Sequence, residues 1–152
     1  MAAITNIEYK KTYNFNLTPF QVGSIPKEEL VELFMDGRVA SKFLEIHIPL
    51  WFPNLVFKDG KGFDFIDKVT EEKIDQKAFT RRGANYAPSG MIGVGRKVDL
   101  KEFQAHAAHT NYCFTDITEF PKIKVCFWTG AELMRVFGSN KIGYGQKSKL
   151  FP

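Results

Sequence analysis

The chain predicts an α/β (α+β) fold, a mixed central sheet of about five strands flanked by helices. A helical stripe runs through residues 28–46, and three short strand-like runs follow between 54 and 80. A helix, two more strands and a last helix then complete an alternating order that calls for a layered sheet-and-helix packing. With 152 residues and 44% hydrophobic content, the chain suits a single domain, 1–152, with one real core.

Residues 1–25 alternate loosely (Ile7, Tyr9, Tyr13, Phe15, Leu17, Phe20) and read as an extended N-terminal arm, fit for an edge strand or for reaching a partner subunit. Ser24 or Ile25 caps the first helix, Pro26 fits its first turn, and Glu28 and Glu29 favour its positive end. Leu30, Leu33, Phe34, Val39, Phe43, Leu44 and Ile46 continue the stripe, with a break expected at Gly37 and an end imposed by Pro49 and Pro53. Asn54–Phe57 is a strand and Lys58–Gly62 a turn. Phe63–Val69 and Lys73–Thr80 are strands joined as a hairpin through Thr70–Glu72. Residues 81–98, rich in Gly, Arg and Asn, read as a functional loop. Asp99 caps a helix over Leu100–Ala108. Strands Asn111–Thr118 and Lys122–Trp128 follow, then a helix over Gly130–Phe137 and a basic tail, 138–152.

Composition excludes several classes. The start has no apolar run of signal-peptide length, and no segment approaches the roughly 20 apolar residues of a membrane span, so a cytoplasmic protein with no membrane partner is expected. Cys113 and Cys126 fit no zinc-ligand spacing and read as buried free thiols in neighbouring strands. Net charge is +4 and the sequence pI about 9.0, which permits a phosphate-bearing partner without demanding one. The 15 Phe residues belong first to a core.

Chemistry concentrates in Gly62-Phe63-Asp64-Phe65-Ile66-Asp67 and Lys73-Ile74-Asp75-Gln76-Lys77-Ala78-Phe79. Side chains alternate along a strand, so Asp75 and Lys77 project to one face while Ile74, Gln76 and Ala78 project to the other. The hairpin turn falls midway and returns Asp64 beside Asp75. Two converging carboxylates suit a hard divalent cation, Mg²⁺ with Mn²⁺ as a substitute, and the main-chain carbonyl of Gln76 offers a further oxygen. A neighbouring Lys77 can stabilise charge on a phosphate or position a water. The alternative is a solvated hairpin face, since strand ends carry Asp and Lys routinely.

The same residues resemble the PD-(D/E)xK nuclease superfamily, and especially its small type II restriction endonucleases. There a Gly-x-Asp on one strand precedes an acid-x-Lys on the next, as Asp64 precedes Asp75-Gln76-Lys77 by 11 positions here. The resemblance covers roughly 28–137, the nuclease core, and implies a restriction-endonuclease-like fold. It departs at Phe63, which stands where such enzymes usually have a proline, and at Asp75, where Glu is commoner. Asp67 stays an alternative to Asp64 as the metal-binding acid. Some members carry a further acid on the first helix, which would be Glu45, with Glu32 behind it.

Arg81, Arg82 and Asn85 follow the site strand directly, and Arg96 and Lys97 follow within a glycine-bearing stretch, placed to contact DNA phosphates or base edges. The expected function is therefore a Mg²⁺-dependent endonuclease, a hydrolase of phosphodiester bonds in double-stranded DNA, acting as a type II restriction endonuclease. A nicking, repair or junction-resolving nuclease of the same fold is the alternative, as is a non-catalytic DNA-binding accessory protein. One site per chain calls for a homodimer to cut both strands, with the arm and first helix as the interface. His106 and His109, three apart on a helix, complete no zinc motif and read as surface or partly buried histidines. Lys141, Lys147 and Lys149 with Tyr144 offer a further backbone contact, or a solvated tail.

Overall fold

The computed structural model describes residues 3–60, 63–88, 91–92 and 95–152. Gly62, which opens the first motif, and part of the glycine-bearing stretch before Arg96 lie outside them. Six strands form one mixed sheet in the order β1-β7-β6-β4-β3-β2. They are β1 (Thr12–Asn16), β2 (Leu55–Gly60), β3 (Phe63–Asp67), β4 (Lys73–Phe79), β6 (Asn111–Asp116) and β7 (Lys122–Thr129). Only β4 and β6 run parallel; every other neighbouring pair in this sheet is antiparallel. The sixth strand comes from the arm, whose β1 closes one edge by pairing with β7.

Helices cover both faces. On one side α2 (Gly37–Trp51) buries Ala40, Leu44 and Ile48 against Phe65, Ile74, Cys113, Val125 and Phe127. On the other, α3 (Leu100–Ala108) and α4 (Gly130–Phe137) bring Phe103 and Leu133 to Tyr112, Phe114, Cys126 and Trp128. Covering both faces explains why every residue of β6 is buried, where a one-sided sheet would alternate. It also puts the two free thiols in opposite cores although their strands are neighbours.

Three expectations change. The helical stripe is two helices: α1 (Lys27–Phe34), which Pro26 caps without a side-chain bond, and α2. The break precedes Gly37, where the Asp36 carboxylate accepts from the Arg38 amide at 2.9 Å and starts α2. A Cβ on Gly37 would lie 3.3 Å from Thr80 Cγ2, so the helix start sits against the end of β4. Pro49 does not end α2. The helix runs on to Trp51, and the Phe52 amide still bonds the Ile48 carbonyl at 2.8 Å. Leu44, Ile48 and Phe52 lie one turn apart and are all fully buried, so packing holds the last turn despite the amide that proline lacks.

The basic tail is folded rather than solvated. It forms β8 (Lys141–Ile142), a 3-10 turn (Tyr144–Gln146) and α5 (Lys147–Leu150), and β8 pairs with β5 (Ala84–Asn85) in a small second sheet. Leu150 and Phe151 enter the core beneath Trp128, whose indole N–H donates to the Leu150 carbonyl at 3.0 Å. Lys147, a candidate DNA contact, instead holds the buried Asp116 at 3.1 Å. Among the described residues no helix is long and apolar enough to cross a membrane.

Leu150→Ala is expected to cost about 3 kcal/mol in urea unfolding, as for a fully buried leucine. A loss under about 0.5 kcal/mol, the range of surface substitutions, would return the tail to solvent.

Candidate active site

The β3–β4 hairpin builds the site. Its turn is fixed by Asp67, whose Oδ1 accepts from the Val69 amide at 2.8 Å and the Thr70 amide at 3.2 Å, while Glu71 takes a left-handed φ of 64°. Asp67 is thereby committed to the turn, leaving Asp64 as the acid at the open end. The main-chain ladder between the strands has two pairs, Ile66↔Lys73 and Phe65↔Ile74. Carried one step further, the register sets Asp64 opposite Asp75. There the ladder gives way, and Asp64 Oδ2 takes the Gln76 amide at 2.9 Å. β4 stays paired to β6 on its other edge throughout. The N–H and C=O of one residue point to the same edge of a strand, so the Gln76 carbonyl shares the gap with Asp64. The Gln76 side chain is buried too, and its amide atoms meet no hydrogen-bond partner among the described residues.

Asp75 is 6% exposed. Burial pushes its carboxyl up to about 8; the Lys77 ammonium opposes this, and a hydrogen bond and like charge from Asp64 add to it. Burial with a second carboxylate facing it therefore favours a proton on Asp75 near neutral pH. Lys77 Nζ lies 3.3 Å from Asp75 Oδ2 and donates to the Ala87 carbonyl at 3.1 Å. One ammonium does not offset burial together with a second carboxylate.

Ala87 is brought there by the segment after β4. Gly83 crosses β8 so closely, at φ 82°, that a Cβ would lie 2.0 Å from the Ile142 carbonyl oxygen. Asn85 Oδ1 accepts from the Ala87 amide at 3.1 Å and from Asn140 Nδ2 at 2.9 Å, and the Tyr86 amide donates to the Asn140 carbonyl. Asn85, singled out as a DNA contact, thus spends its carbonyl oxygen on shaping this loop. Arg81 and Arg82 stand exposed in the turn at the end of β4, where Thr80 and Gly83 bridge. The Asp36 carboxyl is held low by Arg38's hydrogen bonds, with Arg82 adding to it, which sets Arg82 near the start of α2. Arg96 and Lys97 are exposed, and Arg96 Nη1 donates to the Ile92 carbonyl at 3.3 Å. Glu45 lies on α2, mostly buried and 3.4 Å from the Lys42 ammonium.

Two groups at the site escaped the sequence reading. Tyr112 pairs with Asp75 across the parallel β4–β6 register and is fully buried, yet its hydroxyl meets no partner among the described residues. Burial, then the Asp75 charge, raise its pKa. His106 on α3 buries Nε2 equally without a partner. Its pKa is lowered by burial first, then by Lys77 and Lys73. The helical position of His106 was legible; its aim toward β4 was not.

Among the described residues no group of three or more His, Cys, Asp or Glu gathers to hold a metal. The donor set is two carboxylates and a main-chain carbonyl, all hard oxygens, as Mg²⁺ takes when water and substrate complete its shell. Comparison with protein-family models, curated proteins and solved structures finds no match.

The raised Asp75 gives a signed pH dependence. Between about 4 and about 8 the folded chain keeps a proton that the unfolded chain releases, so this group makes stability fall as pH rises. Full ionisation costs on the order of 5 kcal/mol at 1.36 kcal/mol per pKa unit. His106, held low, slopes the other way, so the difference between wild type and Asp75→Asn isolates the effect. Urea midpoints in EDTA should show the variant gaining on wild type from pH 5 to 8.5. Parallel curves would mean that Asp75 ionises freely.

Proposed function

We propose that the chain is a Mg²⁺-dependent endonuclease of PD-(D/E)xK type that hydrolyses phosphodiester bonds of double-stranded DNA, as a type II restriction endonuclease. The observation that carries this reading is the meeting of Asp64 and Asp75 where β3 and β4 part, with Lys77 beside them. Asp75, buried beside a second carboxylate, is costly to ionise unless a cation takes the proton's place.

Asp64, Asp75 and the Gln76 carbonyl would hold the cation, which supplies a Lewis acid for the phosphoryl oxygen and a lowered pKa for water. Lys77, fixed in direction by the Ala87 carbonyl, faces the charge that builds on the phosphate. Water adds to phosphorus, a P–O bond to a sugar oxygen breaks, and that oxygen takes up a proton while the attacking water releases one to solvent. Arg81, Arg82, Arg96 and Lys97 stand exposed to carry the flanking backbone. Cutting both strands requires a homodimer, for which the arm and α1 offer half-exposed Val22, Ile25 and Leu33. Two reduced thiols suit a cytoplasmic setting.

Supercoiled plasmid incubated with Mg²⁺ or Mn²⁺ is expected to give discrete fragments, abolished by EDTA and reduced at least 100-fold by Lys77→Ala. Nicked circles or cleavage of branched DNA alone, lost in the same variant, would move the chain to a nicking, repair or resolving role. DNA binding without cleavage under either metal would reduce it to a non-catalytic accessory protein.

A further inference from the structure

Between the β3–β4 hairpin and the C-terminal half of α3 lies a recess of about 300 Å³ lined by Phe63, Lys73, Ala105, His106, His109 and Thr110. We infer that this recess seats the phosphate next to the scissile one on the same nucleic-acid strand. The inference rests on the nuclease reading for which phosphate is cut, but not for the anion site itself.

Placement is the first support. Phe63 directly precedes Asp64, and Lys73 lies two residues before Asp75 on the same face of β4. Two residues of strand advance about 7 Å, the scale on which successive phosphates of one strand follow each other. Lys73, Asp75 and Lys77 therefore line up as a cation, a metal-binding acid and a cation along one strand face.

Charge is the second. No carboxylate lines the recess, and Lys73 forms no salt bridge among the described residues; its ammonium lies 5.2 Å from the Phe63 ring centroid. The acids nearest in sequence, Glu71 and Glu72, line an adjoining recess that shares Lys73 and His109 with this one, and Glu72 accepts from the Asn111 side-chain amide. His106 reports the local field: after burial, what lowers its pKa is the positive charge of Lys77 and Lys73, which favours an anion there. His106 contributes its ring to the wall, with Nε2 buried and without a partner among the described residues. The volume admits a phosphate with part of its sugar.

The test uses the full chain in EDTA, so it does not depend on cleavage. Inorganic phosphate is titrated while the His106 and His109 imidazole signals are followed by NMR, in wild type, Lys73→Ala and Lys73→Arg. A saturable His106 shift, lost in Lys73→Ala and kept in Lys73→Arg, is expected. In parallel, the affinity for a short duplex is measured against salt. Lys73→Ala should bind about 10-fold more weakly and lower the log–log salt slope by about one, while Lys122→Ala, at the other end of the sheet, should change neither. A phosphate shift with an unchanged duplex slope would assign the recess to free phosphate and overturn the strand subsite. A duplex effect without a phosphate shift would overturn the recess as its seat, and neither effect would overturn both. Failure of plasmid cleavage by wild type is a separate result, which strikes the nuclease reading alone.

Discussion

Asp64 and Asp75 face each other at the point where β3 leaves β4, and much of the site follows from that parting. Had the ladder continued, main-chain partners would occupy the edge of β4 at Gln76. Instead a side-chain carboxylate takes the amide, and the neighbouring carbonyl is left turned into the same gap. The parting is possible because β4 has a full parallel partner in β6, which satisfies its other edge over six residues and keeps it straight. The buried Asp75 is tolerated there beside Asp64 because Lys77 and a retained proton offset its charge.

The second core serves this arrangement at a distance. Leu150, Phe151 and Ile142 hold the C-terminal segment under the sheet, which sets Asn140 against Asn85. Asn85 shapes the turn at Ala87, and Ala87 fixes the direction of Lys77. The loop after β4 is therefore tied down at its start, by the Thr80–Gly83 bridge and by the pairing of Ala84–Asn85 with β8.

What the sequence disclosed and what it withheld divide along range. Alternation over two short strands set Asp75 and Lys77 on one face, and the midway turn returned Asp64, because both are local consequences of the strand period. Asp99 was legible as a cap, and it accepts the amide of Glu102 three residues on; Thr129 caps α4 in the same way without having been singled out. Pro49 misled because proline reports only the local cost, while Leu44, Ile48 and Phe52 bury on a core that only the fold assembles. The tail misled because its lysines and glycines interrupt its few apolar residues, yet Leu150 and Phe151 decide its place. Tyr112 needed the parallel β4–β6 register and His106 the packing of α3, and no period along the chain encodes a pairing across the 37 residues from Asp75 to Tyr112.

That register also decides how the site is walled. Tyr112 beside Asp75 and Phe114 beside Lys77 place an aromatic floor on the face where the charged pair projects, with Tyr86 edge-on to Tyr112 at 5.4 Å. An apolar floor keeps water from the acids, which is why burial leads the causes that raise Asp75. It equally strengthens the field of Lys77 on anything that enters, because the same loss of solvent that penalises an unpaired carboxylate leaves an ammonium less screened. The Tyr112 hydroxyl within that floor, without a partner among the described residues, is the cost of such a surface: a polar atom kept dry because the geometry that buries Asp75 buries it too.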